Sequence, residues 1–361
     1  MDLSDYGLLP QDYPLDPDKT YARITAVHRA RYDLVTPYGE SHARLKAGVY
    51  FNSHTDEFPT TGDFVEIQRN DTGDNLITRT LPRKSGFARN DLSGHAAAYV
   101  KTIKGQMVAA NFDYVFIMQS MNQDLSPRRL ERYLALAWQS GATPVVVLTK
   151  ADLTGECAGI LSQAEAAAAN TRIHVVSAKT GYGLDGLSEY LRKGKTIVLL
   201  GSSGVGKSSL VNALAGRDVM TTREIREDDG KGRHTTTHRQ LILLDSGVMI
   251  IDTPGMRELG MWHASQGLRE GFADILELVG QCRFFDCKHH GEPGCAVRAA
   301  LDDGKLNSER WEAYLSLMRE QEFVESKSGR PRTEDSPGTA RIRKERSEQE
   351  KGERTHGIDW L

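Results

Sequence analysis

The chain has 361 residues, of which 39% are apolar and 26% charged, a net charge of −3 and only four cysteines. These values exclude a disulfide scaffold, a low-complexity disordered chain and a protein coated in positive charge, so any nucleic-acid contact must come from local patches. Apolar runs are strand-sized, short of the roughly twenty residues a membrane helix needs, and the acidic start Met1 to Tyr6 is unlike a basic signal peptide; a cytoplasmic protein without membrane contact is expected.

Residues 1–18 are polar and without period, and are expected to be a mobile arm. Five short β-rich segments follow, at 22–27, 32–36, 45–51, 63–68 and 76–81, separated by turn residues. Five strands in so short a span predict a small closed barrel over 19–95; an OB-type barrel fits, and so does an SH3-like one. Residues 82–104 carry Arg83, Lys84, Arg89, Lys101 and Lys104 with few large apolar side chains, which reads as a basic linker.

From 96 to 262 strands and helices alternate. Strands are expected at 111–118, 144–148, 173–177, 196–200 and 248–251, with a helix opened by Ser126 as N-cap and Pro127 at its first position and closed by Gly141. Alternation of this kind predicts a parallel sheet with helices on both faces. The strand 196–200 runs into Gly201, Ser202, Ser203, Gly204, Val205, Gly206, Lys207, Ser208 and Ser209, which fits GxxxxGK[ST]. Backbone N–H groups of such a loop and the helix N-terminus cradle a polyphosphate, Lys207 reaches the β- and γ-phosphates and the Ser208 hydroxyl meets Mg²⁺. The strand ending at Leu148 leads to Thr149, Lys150 and Asp152, and the one ending at Val176 to Ser177, Ala178 and Lys179. A carboxylate at Asp152 accepts from both guanine N1–H and the exocyclic amine, the Ala178 N–H suits the guanine O6, and the Lys150 stem covers the base. Adenine offers neither donor in that pattern, so the pocket selects guanine.

Residues 221–239 are polar and charged and contain Gly232 to His238; a mobile switch is expected, in which Thr235 or Thr236 senses the γ-phosphate and Thr236 completes the Mg²⁺ shell with Ser208 and Asp252. Asp252 to Gly255 closes the site, Gly255 N–H facing the γ-phosphate. Met256 stands where Ras-like enzymes have a water-orienting glutamine. A thioether cannot orient water, so the catalytic set is read as Lys207, Thr236 and His234, with His238 as the second candidate. The base-reading loops precede the phosphate loop, the reverse of an ordinary small GTPase, so the domain is circularly permuted.

Cys282, Cys287, His289 and Cys295 form CxxxxCxHxxxxxC, the ligand set of a closed structural Zn²⁺ site, with His290 as a competing ligand. Helices at 268–279 and 308–323 flank it, giving a small helical zinc domain over 263–324. Cys157 reads as an ordinary small side chain. Residues 325–361 are charged in both signs and apolar-poor, and are expected to be disordered.

A β-barrel, then permuted GTPase motifs, then CxxxxCxHxxxxxC with Glu292, Pro293 and Gly294 before its last cysteine resembles the ribosome small subunit-dependent GTPases of the RsgA (YjeQ/YloQ) family. The likeness spans roughly 21–323. It implies a GTPase that assembles on the immature small ribosomal subunit late in maturation, is stimulated by it and leaves, with the barrel and zinc domain on ribosomal RNA. GTP and GDP, Mg²⁺, one zinc ion and a monomeric state are the expected ligands and form. A nucleotide-gated RNA-binding module and a metal-handling GTPase are the alternatives. Thr149 departs from the asparagine of the family's base-reading motif, which implies a less braced pocket.

Overall fold

The computed structural model describes residues 1–50, 57–91, 104–122, 125–155, 157–168, 171–220, 240–252 and 265–327. The expected arm is packed: Leu3, Tyr6, Leu8 and Tyr13 are buried, a 3₁₀ turn spans Leu3–Tyr6, and the Tyr13 ring meets Phe64 edge-on at 5.6 Å. Sequence reading missed this because four scattered apolar residues show no period until the surface they cover is known.

The barrel is built from β1 (Thr20–Val27), β2 (Tyr32–Thr36), β3 (Gly39–Leu45), β4 (Phe64–Gln68) and β5 (Asn75–Thr80). Its order, β1-β2-β3-β5-β4 with β4 returning to β1 and β3 parallel to β5, is a closed five-stranded Greek key of OB type and not an SH3-like arrangement. Ala22, Ile24, Leu34, Ala43, Val65 and Ile77 fill the interior. The third strand was expected at 45–51 and lies at 39–45: of its seven residues only Ala43 is buried, so apolar alternation could not mark it. Residues 82–104 are not a simple linker either. Strand β6 (Gly86–Asp91) pairs antiparallel with β7 (Lys104–Ala110), so this two-stranded ribbon crosses the expected 95/96 boundary.

The second layer system follows. Strands β8 (Tyr114–Ser120), β9 (Thr143–Thr149), β10 (Ile173–Val175), β11 (Thr196–Leu200) and β13 (Met249–Asp252) run parallel in the order β10-β9-β8-β11-β13, and β12 (Gln240–Leu243) adds antiparallel to β13. Helix α1 (Pro127–Gln139) starts where its N-cap predicts, with the Ser126 hydroxyl accepting from Arg129 N–H, a cap worth about 1 kcal/mol. With α2 (Cys157–Ala167) it covers one face, while α3 (Lys207–Ala215) and the 3₁₀ stretch Leu184–Tyr190 cover the other. Both sides of the sheet are therefore buried, as near-continuous runs such as Val145 to Leu148 require. Strand β12 also touches the barrel, Ala26 of β1 pairing with Gln240, so barrel and parallel sheet are hydrogen-bonded into one surface.

The C-terminal part comprises α4 (Ser265–Gly271), α5 (Ala273–Gly280), α6 (Ala296–Asp302) and α7 (Ser308–Lys327). The single helix expected at 268–279 is broken at Phe272, whose backbone leaves the helical region (φ −129°) while its ring is buried against Tyr314. Helix α7 is tied by charge to α5, where Arg310 forms a bidentate pair with Asp274 at 2.7 and 2.8 Å, and to α1, where Arg310 reaches Glu131 at 3.2 Å and Arg132 reaches Glu320 at 2.9 Å. Among the described residues no helix is long and apolar enough to cross a membrane.

Candidate nucleotide site and metal centre

The loops singled out in the sequence lie at the carboxyl ends of the parallel strands, where open α/β sheets take ligands. β11 delivers Gly201. A Cβ there would lie 2.8 Å from the Met118 carbonyl oxygen and 2.9 Å from Val205 Cγ1, so the turn closes only on glycine. Gly206 caps α3 at φ +105°, a conformation costly for any L side chain. Lys207, the first residue of α3, donates from Nζ to the Gly201 and Ser202 carbonyls, both at 2.8 Å, which holds the ammonium over the loop. Val205 turns inward and is buried, whereas Ser203 and Gly204 are exposed.

Strand β9 delivers the second loop. Lys150 adopts a left-handed conformation (φ 60°, ψ 39°) and turns the chain into the 3₁₀ stretch Ala151–Leu153. The Ala151 N–H is held by the Val176 carbonyl at 3.2 Å. The Ser177 hydroxyl donates to Asp152 Oδ1 at 2.6 Å and accepts from the Thr180 N–H at 3.2 Å. That hydroxyl, more than any other neighbour, holds the Asp152 carboxyl below its ordinary value, so it is an acceptor at neutral pH.

Thr149, which stands where the family's motif has asparagine, supplies a brace of its own. Its hydroxyl is buried and lies 2.6 Å from the Val205 carbonyl, to which it donates, and 3.3 Å from the Gln119 carbonyl. One short side chain thus pins the base-reading loop to the phosphate loop. The two loops and the first turn of α3 enclose one cavity of about 250 Å³, lined by Lys150, Asp152, Ala178 and Lys179 on one side and by Gly206 and Ser209 on the other. Leu153, Val176 and Leu210 also line it. Sequence reading missed them; the signal was an apolar residue directly beside each polar motif.

Asp252 ends β13, one residue past the Val198–Ile251 pairing, and is buried. With the half-buried Ser208 it offers hard oxygen donors of the kind Mg²⁺ takes. His234, Thr235, Thr236, His238, Gly255 and Met256 lie outside the described residues, as does the tail from 328.

In the C-terminal part the ligand atoms of Cys282, Cys287, His289 and Cys295 lie within 4.8 Å of one another. His289 Nδ1 is 3.6 Å from Cys282 Sγ and 3.4 Å from Cys295 Sγ, and the latter two are 4.0 Å apart. A tetrahedral ion with bonds of about 2.0–2.3 Å requires ligand atoms roughly 3.4–3.8 Å apart; both His289 distances meet this, and the wider separations need to close by no more than about 1 Å around an ion. His290 is exposed and outside the cluster, which resolves the competition in favour of His289. His289 takes φ 61° and stands edge-on to Trp311 at 5.5 Å. Glu292 shapes the loop: its carboxylate accepts from the Lys288, His290 and Gly291 N–H groups at 2.9, 2.8 and 3.1 Å. Together with its own N–H these hold the carboxyl near 2. Cys295 then N-caps α6, its Sγ accepting from Arg298 N–H. Cys157 is exposed and remote from the cluster.

The sequence pattern of the RsgA GTPase family matches residues 80–262. The small ribosomal subunit biogenesis GTPase RsgA 1 of Listeria monocytogenes is 43% identical over 359 residues, 99% of this chain and 98% of that one. The chain belongs to the RsgA GTPase family. Solved structures agree with RsgA membership. The crystal structure of YjeQ from Thermotoga maritima superposes with a TM-score of 0.60 at 26% identity, covering 87% of this chain and all of that one. YloQ, described as a circularly permuted GTPase, shares the fold with a TM-score of 0.56 at 23% identity, over 88% of this chain and 98% of that one. The RsgA fold accounts for the motif order, in which the loops after β9 and β10 precede the glycine-rich loop after β11.

Proposed function

We propose that this protein hydrolyses GTP as a late-acting assembly factor of the small ribosomal subunit, stimulated by that subunit and released from it after hydrolysis. The observation that carries the reading is the single cavity bounded by the Asp152–Ser177 pair and by the first turn of α3, in a chain 43% identical to a small ribosomal subunit biogenesis GTPase. Asp152 accepts from guanine N1–H and the exocyclic amine, held in place by Ser177. The Ala178 N–H donates to O6, and the stems of Lys150 and Lys179 flank the base. Gly201 to Ser209 wrap the phosphates, with Lys207 on the β- and γ-oxygens. Ser208, Thr236 and Asp252 hold Mg²⁺, which when bound neutralises charge on the phosphates. Thr235, Thr236 and the Gly255 N–H sense the γ-phosphate, and His234 orients the attacking water where Met256 cannot. Cys282, Cys287, His289 and Cys295 hold one structural zinc ion; three sulfurs and one imidazole, with no fifth ligand among the described residues, suit zinc in a structural role.

The barrel supplies the RNA-facing surface in this reading. Arg29, Arg31, Arg44, Lys46 and Arg69 are exposed on it, Arg69 stacking over the exposed Tyr38 ring at 4.1 Å, a mixture of cations and an aromatic platform suited to phosphates and unstacked bases. The test is steady-state GTP turnover with purified small subunits, with large subunits and with neither. Acceleration by the small subunit alone is expected, and equal rates in all three refute the assignment. His234→Ala is expected to remove the acceleration while leaving GDP affinity unchanged; full acceleration in that variant removes His234 from the mechanism.

A further inference from the structure

A second cavity, of about 290 Å³, lies away from the nucleotide loops, at the seam between the N-terminal segment, the barrel and the lead-in to β11. Four cations line it, Arg23, Lys84, Lys193 and Lys195, against the lining carboxylates Asp12 and Asp113 and the adjoining Asp5, a balance of 4 − 3 = +1 that rests on Arg23. Lys84 pairs with Asp12, Lys195 with Asp113 at 2.7 Å, and Lys193 with Asp5 at 2.7 Å.

Arg23 is the unusual member. It is 1% exposed, and its hydrogen-bond partners are the carbonyls of Tyr6, Gly62 (3.2 Å) and Asn111 (2.8 Å) together with the Met249 thioether (3.2 Å). Its guanidinium also lies over the Phe64 ring, 4.8 Å from the centroid. Among the described residues no carboxylate is within hydrogen-bonding distance of it. Burial is costly for a cation hydrogen-bonded only to neutral acceptors, and the carboxylates of Asp113 and Asp63 offset it only from beyond hydrogen-bonding distance. Thr196, which also lines the cavity, has a buried hydroxyl with no hydrogen-bond partner among the described residues, an unsatisfied polar atom of the kind that a nearby bound water or ion accounts for.

From these observations we infer a second anion site, one that takes a phosphate-sized dianion in the seam, where Lys84 and Lys193 reach it from the solvent side and Arg23 supplies fixed positive charge behind it. Thr196 begins β11, whose far end delivers Gly201. The anion thus braces the N-terminal segment, barrel and phosphate-loop strand as one unit. This inference does not depend on which nucleotide the first cavity takes.

The test uses the full chain saturated with a non-hydrolysable GTP analogue and Mg²⁺, so that phosphate cannot report on the phosphate loop or its γ-position. Calorimetric titration with inorganic phosphate, and separately with methyl phosphate, at constant ionic strength is expected to give one saturable event per chain. Binding of both places a phosphomonoester within the site's range; binding of inorganic phosphate alone restricts it to the free ion. In Lys84→Gln and Lys193→Gln the affinity should fall roughly two- to fivefold each, the range expected of partly exposed charge pairs, and further in the double variant. Lys305→Gln, in the C-terminal helical part and outside the cavity lining, should bind as the parent does. Circular dichroism and GDP affinity confirm that each variant is folded. No saturable binding to the parent chain, or equal binding by the folded double variant, overturns the inference.

Discussion

Thr149→Val tests how the two halves of the nucleotide cavity are joined. The substitution keeps the shape of the side chain and removes the hydroxyl that donates to the Val205 carbonyl at 2.6 Å. Thr149 and Val205 are 4% and 1% exposed, so water cannot replace the lost donor. An acceptor left unpaired in such a place costs about 1–3 kcal/mol. Because the bond ties the base-reading loop to the phosphate loop, the cost falls on any ligand that spans both, and GDP affinity should weaken roughly 5- to 150-fold. Titration with a fluorescent GDP measures it. Thr149→Ser keeps the donor and should stay close to the parent. GDP binding by Thr149→Val equal to that of the parent would refute the argument that this hydroxyl couples the loops.

Further expectations concern the base, the docking helix and the metal. Asp152→Asn replaces an acceptor by a donor and should shift preference from guanosine to xanthosine diphosphate, whose C2 carbonyl now meets an amide N–H; competition binding reads the change. Burial pushes Glu131 up to about 7 against the opposing Arg310, while its ordinary value is 4.5. Between those values the folded chain holds a proton the unfolded chain has released, so this contribution to stability is full below pH 4.5 and is lost as pH rises through 7. Glu131→Gln should therefore be more stable than the parent at pH 8, by roughly 1–3 kcal/mol, and no more stable at pH 4.5; denaturant melts at the two pH values test it. Elemental analysis should find one zinc per chain. Its removal by a chelator should unmask three reactive thiols and unfold the α5–α6 region, seen as loss of amide protection around Ala296–Asp302.

What the sequence made legible follows from how each element satisfies its own physics. The glycine-rich loop after β11, the polar loops that share its cavity and the Cys/His cluster depend on residue types at fixed local spacing, so each could be picked out as a string. β2 and β11 were readable to the residue because their apolar positions face buried surfaces. β3 and β6 were not: β3 has only Ala43 buried, and β6 owes its pairing to β7, separated from it in sequence. The packed N-terminal segment and the Thr149 clasp were hidden for a related reason. In each, the decisive partner, Phe64 for Tyr13 and the Val205 carbonyl for Thr149, is more than fifty residues away along the chain.

The central claim is that the loops after β9, β10 and β11 close on one guanine nucleotide. A crystal structure with a non-hydrolysable GTP analogue tests it most directly. The account predicts Asp152 oxygens at the guanine N1 and exocyclic amine and Lys207 Nζ at the β- and γ-phosphates of the same molecule. A nucleotide held by Lys207 whose base lies outside the Asp152 cavity would contradict it.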